Sequence, residues 1–575
     1  MTEQIKSSGH RLVALVAMLL MLACGNRNET EDEKAGDLSK QSPSLPAPKT
    51  SAGAAQTACA RYDEPQPAPA ATGTAPPPQV KRPSPKSRAL LENPFVDTAT
   101  DEKSTFGVDV DTASYTMVRS FIKAGMMPPP GRIRIEEMLN YFRYSYPAPP
   151  TSAFGFMTDA AEAPWALERR LVRIGIKGRE IAAAARPRSN LVFLIDVSGS
   201  MLGPNKLGLL KQGFAMMIDK LDERDTVSIV TYAGRSGIAL PPTAGNRRAV
   251  ILTALESLEP AGGTNGSQGI QSAYRIAAES FIPGGTNRVL VATDGDFNMG
   301  MTSPSALQLL IERMAGTGIY LTMLGFGQGN PQDKTMELLA DHGNGNYAFI
   351  DSAAEARRFL SRELTGTLVT IAKDVKLQVA WNPRTVKSFR LIGYENRQLE
   401  EDDFADDTKD AGDIGSGHTV TALYDIEPVS QRSTGETFGK VSIRFKAPDG
   451  STSQLVEGEL PAGAQPMEEM TTDFRFATAV AAFGMVLRGS KHVGNLTLQE
   501  VETLAAGALG DDPEGERSEL VALVKKARLR RASLAAAAPP SVGKRYDQPP
   551  ASRTPVSRPP APRPQKSKPQ KELSF

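Results

Sequence analysis

Two cysteines and four histidines occur among 575 residues. Two cysteines cannot build a disulfide framework, and four histidines leave few candidates for imidazole chemistry. An excess of either charge is also missing, since 66 lysines and arginines face 65 aspartates and glutamates, a net charge of +1. No global field draws such a chain to nucleic acid, which excludes that class of partner. Long apolar runs are scarce. The run from Leu12 to Ala23 has twelve residues, against the roughly 20 that cross a bilayer as a helix, and no later stretch is long and apolar enough to do so. What is present is globular in character: 40% hydrophobic and 23% charged residues, with 50 glycines and 43 prolines. That balance excludes a collagen, a coiled-coil rod and a wholly disordered chain. The length predicts about three or four folded units.

Residues 1–24 read as an export signal, with Lys6 and Arg11 ahead of the apolar run. The ending Met21-Leu22-Ala23-Cys24 resembles a bacterial lipoprotein signal, although Met21 and Leu22 stand where such signals usually carry leucine and a small residue. The resemblance implies acylation of Cys24 and a lipoprotein held to a cell-envelope membrane, at its periplasmic face or the cell surface. An ordinary cleaved signal or an uncleaved short anchor is the alternative. Cys59 then has no intrachain partner and reads as an incidental linker residue. Residues 25–90, rich in Pro, Ala, Ser and Thr, predict a disordered tether. Residues 535–575 predict a disordered Pro-rich tail whose Lys544, Arg545, Arg553, Arg558, Arg563, Lys566, Lys568 and Lys571 make it basic. Such a tail is either a solvated end or an arm for anionic lipid or glycan.

Three folded blocks lie between. In residues 91–187, alternation at Phe106 to Val110 predicts a strand, and Tyr115, Val118 and Phe121/Ile122 predict a helix that Asp111 caps. Pro128-Pro129-Pro130 ends that helix, and a second is expected from Ile135 to Tyr144, giving an α+β region. Asp109 and Asp111 have the spacing of metal ligands, but strand-end and capping roles explain them more simply. Residues 188–365 alternate strands, at Leu191–Ile195, Thr226–Tyr232, Arg288–Thr293, Ile319–Leu324 and Asn346–Ile350, with helical patterns. This rhythm predicts an α/β fold with a doubly wound, mainly parallel sheet, whose ligands belong outside the carboxyl ends of the strands. Residues 366–534 change character. Val375, Leu377, Val379 and Trp381 alternate with polar residues, as do Val420 to Ile426 and Val441 to Phe445, and helices are expected at Thr472–Arg488, Leu498–Leu509 and Glu514–Leu534. These features predict a second α+β unit with antiparallel strands.

The middle block supplies an oxygen-rich ligand set on three loops. Asp196-Val197-Ser198-Gly199-Ser200 follows the first strand, Gly262-Gly263-Thr264-Asn265-Gly266-Ser267 forms a second loop, and Asp294-Gly295-Asp296 follows Val289–Thr293. Hydroxyls and carboxylates without Cys or His select a hard cation, Mg²⁺, Mn²⁺ or Ca²⁺. Ser198, Ser200 and Thr264 are the expected direct ligands. Asp196 and Asp294 either hold coordinated waters or ligate directly, and coordination positions stay open for water or an incoming carboxylate. The D-x-S-x-S loop, the later threonine and the Asp-Gly turn resemble the metal-ion-dependent adhesion site of von Willebrand factor type A domains. That resemblance assigns Asp196, Ser198, Ser200, Thr264 and Asp294 to the metal, and implies a protein partner whose acidic side chain completes the coordination.

Ser104-Thr105-Phe106 through Tyr146-Pro147, and Leu391-Ile392-Gly393-Tyr394 through Asp406–Gly412 to Tyr424, are similar to the flanking regions of a bacterial lipoprotein family with a type A domain. The resemblance spans about residues 91–530. A hydrolase using Ser198 or Ser200 needs a base, yet His342, His418 and His492 lie off the three loops and G-x-S-x-G is absent. The expectation is no enzyme. Gly325-Phe326-Gly327-Gln328-Gly329 lacks the full dinucleotide spacing, so no small-molecule cofactor is expected. The acidic run Glu400 to Asp413 lacks the EF-hand order and reads as a solvated loop. Asp296 and Asn298 form either a rim around the metal or a turn into the next helix. Two functional classes remain: a tethered module that binds a protein through its metal, and a structural envelope protein whose metal stabilises the fold.

Overall fold

The computed structural model describes residues 91–537 apart from 109–110, 150, 234–236, 261–266, 296–303, 328–332, 361–365, 367–368, 410, 432–434 and 449. The signal segment with Cys24, the tether, the tail beyond 537, Asp109, Thr264, Asp296 and Asn298 lie outside the described residues.

The chain begins with short strands β1 (Val96–Asp97) and β2 (Lys103–Gly107), helices α1 (Ala113–Lys123) and α2 (Ile135–Tyr141), and a hairpin of β3 (Phe154–Ala163) and β4 (Ala166–Gly178). Tyr115, Val118 and Ile122 face the core from α1, as their spacing predicts. The cap differs from expectation. Thr112 occupies the N-cap position without a side-chain bond, and Asp111 instead accepts the Tyr347 backbone N–H at 2.9 Å. The free N–H of Ser114 in the first turn of α1 is met by the Glu137 carboxylate of α2 at 2.7 Å. A neighbouring helix thus supplies the anion that helix starts favour. α2 stops at Tyr141, short of Tyr144, because Phe142 turns extended.

The middle of the chain alternates β5 (Ser189–Asp196), α3 (Leu209–Ile218), β6 (Thr226–Tyr232), β7 (Gly237–Ala244), α4 (Arg248–Glu256), α5 (Ser267–Glu279), β8 (Thr286–Thr293), α6 (Pro304–Gly316), β9 (Ile319–Phe326), α7 (Asp333–His342), β10 (Tyr347–Ile350) and α8 (Ala353–Arg358). The sheet runs β10-β9-β8-β5-β6-β7, parallel throughout except for β7. β5 lies inside it and every one of its residues is buried. Leu191, Phe193 and Ile195 pack on one face and Val192 and Leu194 on the other. Each such side chain contributes roughly 1.5–3 kcal/mol of burial, which is why the strand reads as an unbroken apolar run. β5 continues to β6 on one side while β8 returns on the other, so the strand order reverses between β5 and β8. In sheets of this kind the reversal opens a crevice beyond the carboxyl ends of those two strands.

The remainder holds β11 (Thr370–Trp381), β12 (Val386–Ile392), β13 (Gln398–Leu399), β14 (Ile414–Gly415), β15 (Thr419–Pro428), β16 (Gly439–Lys446), β17 (Ser453–Glu459) and helices α9 (Thr472–Arg488), α10 (Leu498–Ala506) and α11 (Glu516–Ala537). The sequence places 91–187 and 366–534 in separate regions, but the two share both of their sheets. One sheet runs β1-β12-β15-β4-β3 and the other β13-β2-β11-β16-β17. Leu377 of β11 sits opposite Phe106 of β2, and Tyr424 of β15 opposite Val172 of β4. The inner faces bury Phe106, Val172, Leu377, Trp381, Tyr424 and Ile443 together, while α1, α2, α9, α10 and α11 cover Leu171 and Leu423 on the outer face of the first sheet. Neither segment alone could close this sandwich, because each leaves unpaired strand edges.

Candidate functional site

Asp196 ends β5 and is fully buried. The backbone turns beyond it, and one carboxylate oxygen accepts the Ser198 N–H at 2.9 Å. The other accepts Thr293 Oγ1 at 3.0 Å and the Tyr232 hydroxyl at 3.3 Å. Asp196 therefore ties together the ends of β5, β6 and β8. Burial pushes its carboxyl above the usual range, against the hydrogen bonds from Ser198 and Thr293; a cation nearby would oppose that shift. Burial also raises the Tyr232 hydroxyl well above its ordinary value, so Tyr232 serves as a donor.

Ser198 Oγ lies 2.8 Å from Ser200 Oγ, and Ser200 Oγ donates to Asp294 Oδ1 at 3.2 Å. Asp294 follows the last residue of β8, and Gly295 turns the chain away with φ +102°, a conformation that glycine adopts without strain. Three of the five residues expected at the metal thus converge from two loops beside the strand-order reversal, with Asp196 beneath them. Thr264 lies outside the described residues.

The donor set fits a hard divalent ion. An octahedral ion with bonds of about 2.1 Å places neighbouring ligand oxygens about 3.0 Å apart, and calcium at about 2.4 Å widens this to about 3.4 Å. The 2.8 and 3.2 Å separations here are hydrogen-bond lengths that choose neither ion, but they bring three oxygens as close together as ligands of one ion stand. Among the described residues no group of three or more His, Cys, Asp or Glu side chains is gathered into a cage. Any ion at this site depends on hydroxyl oxygens.

Lys206 is a member of this cluster that sequence reading misses. Its Nζ donates to Asp294 Oδ2 and to the Ser200 carbonyl, each at 2.8 Å. Thr293 and Tyr232 are missed as well, although each closes a strand that flanks β5 and both were legible as strand ends. A cavity of about 210 Å³ lies at the opposite ends of the strands, lined by Arg288, Asn344, Asn346, Arg397 and Asp413. It holds none of the residues expected at the metal. Of the histidines, His342 is paired with Glu312 on α6 at 3.0 Å. Among the described residues, no helix is long and apolar enough to cross a membrane.

Comparison with known proteins places these segments. Residues 191–296 match the family model "von Willebrand factor type A domain", residues 84–173 match "von Willebrand factor", and residues 366–529 match "Uncharacterized protein YfbK, C-terminal". The chain is 39% identical over 462 residues to the uncharacterized protein YfbK of Escherichia coli, covering 76% of this chain and 80% of that one. It is 24% identical over 332 residues to the uncharacterized protein sll0103 of Synechocystis, covering 56% of this chain and 76% of the relative. Human inter-alpha-trypsin inhibitor heavy chain H3 is 29% identical over 180 residues, 29% of this chain and 20% of that much longer one. Among solved structures, a von Willebrand factor type A protein from Catenulispora acidiphila aligns over 67% of this chain and 98% of its own, at 19% identity and a TM-score of 0.37. With a type A domain at its centre and a characteristic carboxyl-terminal region behind it, the chain belongs to the YfbK family.

Proposed function

We propose that this protein binds a protein partner through a divalent cation, and that Asp196, Ser198, Ser200, Thr264 and Asp294 hold that cation. The observation that carries the reading is the convergence of Ser198, Ser200 and Asp294 within hydrogen-bonding distance of one another at the strand-order reversal. Bound there, Mg²⁺ would supply a positive centre that neutral hydroxyls leave under-neutralised, able to accept a carboxylate oxygen from the partner. Ser198 and Ser200 orient their hydroxyls toward that centre, and Asp196 fixes the loop through the Ser198 N–H. The absence of a histidine base on these loops supports a binding role over hydrolysis. Acylation of Cys24 would hold the module at a membrane of the cell envelope, on the tether of residues 25–90, where a single chain gives only marginal anchorage and several give a durable one.

Asp196 also favours a second reading, because its bonds to groups on β5, β6 and β8 make the site a structural clasp. One experiment separates the two. Calorimetric titration with Mg²⁺, crosslinked capture from envelope membranes with and without chelator, and thermal unfolding are run on the full chain and on Asp196→Ala. Metal binding and chelator-sensitive capture lost in the variant, with the unfolding temperature nearly unchanged, support the binding module. A large fall in unfolding temperature on chelation, with no metal-dependent partner, supports the structural role. Failure of the wild-type chain to bind Mg²⁺, Mn²⁺ or Ca²⁺ removes both. Retention of Cys24→Ala in the soluble fraction, with wild type in the detergent phase, checks the anchor.

A further inference from the structure

Lys206 is unusual in how it reaches the oxygen cluster. It sits in a short irregular turn, Pro204–Gly208, with its own backbone at φ −121° and ψ −108°, off the helical conformation of that turn. The stem of Lys206 crosses Gly327 just beyond β9, where an added Cβ would come within 3.1 Å of Lys206 Cε and where φ is +104°. A side chain at 327 would thus both strain the backbone and crowd the lysine. The ammonium then lands between Asp294 Oδ2 and the Ser200 carbonyl. The Lys206 side chain is 31% exposed, while that of Asp294 is 3% exposed. The carboxylate is confined, and the cation has a path to solvent.

We infer that Lys206 is a built-in competitor for the metal: its ammonium occupies the Asp294 carboxylate when the divalent ion is absent, and must withdraw for the ion to bind. This rests on the proposed metal site. One carboxylate oxygen, Oδ1, already faces Ser200, and Lys206 holds the other, so Asp294 cannot turn freely toward an ion while both bonds stand. A tethered monovalent cation also neutralises the charge that attracts a divalent one. The effect is a raised threshold. The site fills only where the metal concentration is high enough to displace the lysine, and exposure of the lysine stem lets it swing out without unfolding the turn. A lysine that instead supported metal binding, by positioning Asp294, would leave the opposite signature when removed.

The test measures metal affinity rather than any activity. Calorimetric titration with Mg²⁺, and loss of the free Mn²⁺ electron paramagnetic resonance signal, are followed in the full chain for wild type, Lys206→Met, Lys206→Arg and Lys206→Met/Asp294→Asn. Lys206→Met keeps the stem against Gly327 and removes the charge. It is expected to bind both ions about tenfold or more tightly than wild type, while Lys206→Arg stays near wild type and the double variant loses the gain. Equal or weaker binding by Lys206→Met, with wild type binding normally, overturns the competitor role and leaves the metal site standing. If neither wild type nor Lys206→Met binds either ion, the metal site itself fails and this inference falls with it. Matching unfolding temperatures without metal establish that the variants are folded.

Discussion

Arg119 on α1 donates from Nη2 to the Glu355 carboxylate on α8 at 2.9 Å, and the two side chains are 2% and 1% exposed. The same guanidinium reaches Asp351 at the end of β10 at 3.0 Å, the Tyr141 hydroxyl at 2.8 Å and Glu519 of α11 at 3.1 Å. Arg358 closes the group by donating to Glu355 Oε1 at 2.8 Å and to Thr112 Oγ1 at 2.9 Å. Four segments meet here, and the type A sheet is fastened to the helices of the sandwich by this charge cluster as well as by Ala113 and Met117 of α1, which pack into its core. The nearby guanidinium groups of Arg358 and Arg119 hold the Glu355 carboxyl below its usual range although burial acts against them.

Removing one partner from such a group leaves an uncompensated buried charge, which costs far more than the pair itself contributes. Arg119→Ala is expected to lower the unfolding free energy by about 3–5 kcal/mol in urea titrations. Arg119→Met with Asp351→Asn removes the guanidinium together with the carboxylate it neutralises, leaves Glu355 paired with Arg358, and should recover part of that loss. A loss under about 1 kcal/mol for the single variant would mean that water reaches the group and replaces the guanidinium.

Thr293 donates to Asp196 from the end of β8 and is itself buried. Its hydroxyl also accepts the Gly295 N–H at 3.3 Å, so it acts by orienting the Asp196 carboxylate and the turn that carries Asp294. Groups of this kind change metal affinity by about 10–100-fold when removed. Thr293→Val, which keeps the shape, is expected to weaken Mg²⁺ binding by about tenfold in calorimetry. Thr293→Ser, which keeps the hydroxyl, should restore most of it.

Much of this arrangement was readable in the chain and some of it was not. Periodicity and apolar runs located β5, β6 and α9, because one dominant face or full burial leaves a pattern in a single segment. The hairpin β3–β4 was invisible for the opposite reason. Arg173 of β4 is fully buried, paired with Asp159 at 2.5 Å and placed over the rings of Tyr146 and Phe474, so a core position carries a charged residue that alternation reads as surface. β7 escaped because Pro241 and Pro242 suit only an edge strand and resemble a loop. Of the candidate site, the D-x-S-x-S loop and Asp294 were legible from residue chemistry. Lys206 was not, since its approach to Asp294 depends on Gly327 and on a backbone conformation that no local pattern announces.

His492 is expected to make the stability of the chain depend on pH. Its ring meets Phe95 edge-on at 5.5 Å, its Nε2 is buried without a hydrogen-bond partner among the described residues, and Arg390, Lys491 and Arg169 oppose a further positive charge while Glu92 favours one. Burial, with Arg390 next, lowers its pKa from 6.5 to about 4. Between those values the unfolded chain holds the extra proton and the folded chain does not, so stability falls as pH falls through that window. The slope is at most about 1.4 kcal/mol per pH unit. Urea midpoints measured from pH 7 to pH 4.5 should therefore drop less for His492→Phe than for wild type. Parallel curves would show that the imidazole titrates alike in the folded and the unfolded chain.

Arg288 is a buried charge of another kind. It lies near the start of β8, donates from Nη1 to Thr322 Oγ1 of β9 at 2.7 Å, and keeps a buried Nε without a partner among the described residues. Burial outweighs the pull of Tyr320 and Asp413 and brings its guanidinium down to about 10. Desolvating a cation with so little compensation is destabilising, and replacing such groups by apolar side chains of similar volume is often neutral or favourable. Arg288→Met is thus expected to leave the unfolding free energy unchanged or raise it by about 1–2 kcal/mol, with about 1 kcal/mol of any gain offset by the bond lost to Thr322. Pairing it with Thr322→Val should remove that offset. A fall of more than about 2 kcal/mol for Arg288→Met would instead show that the guanidinium holds β8 to β9 through Thr322, with Asp413 as its electrostatic partner across the cavity.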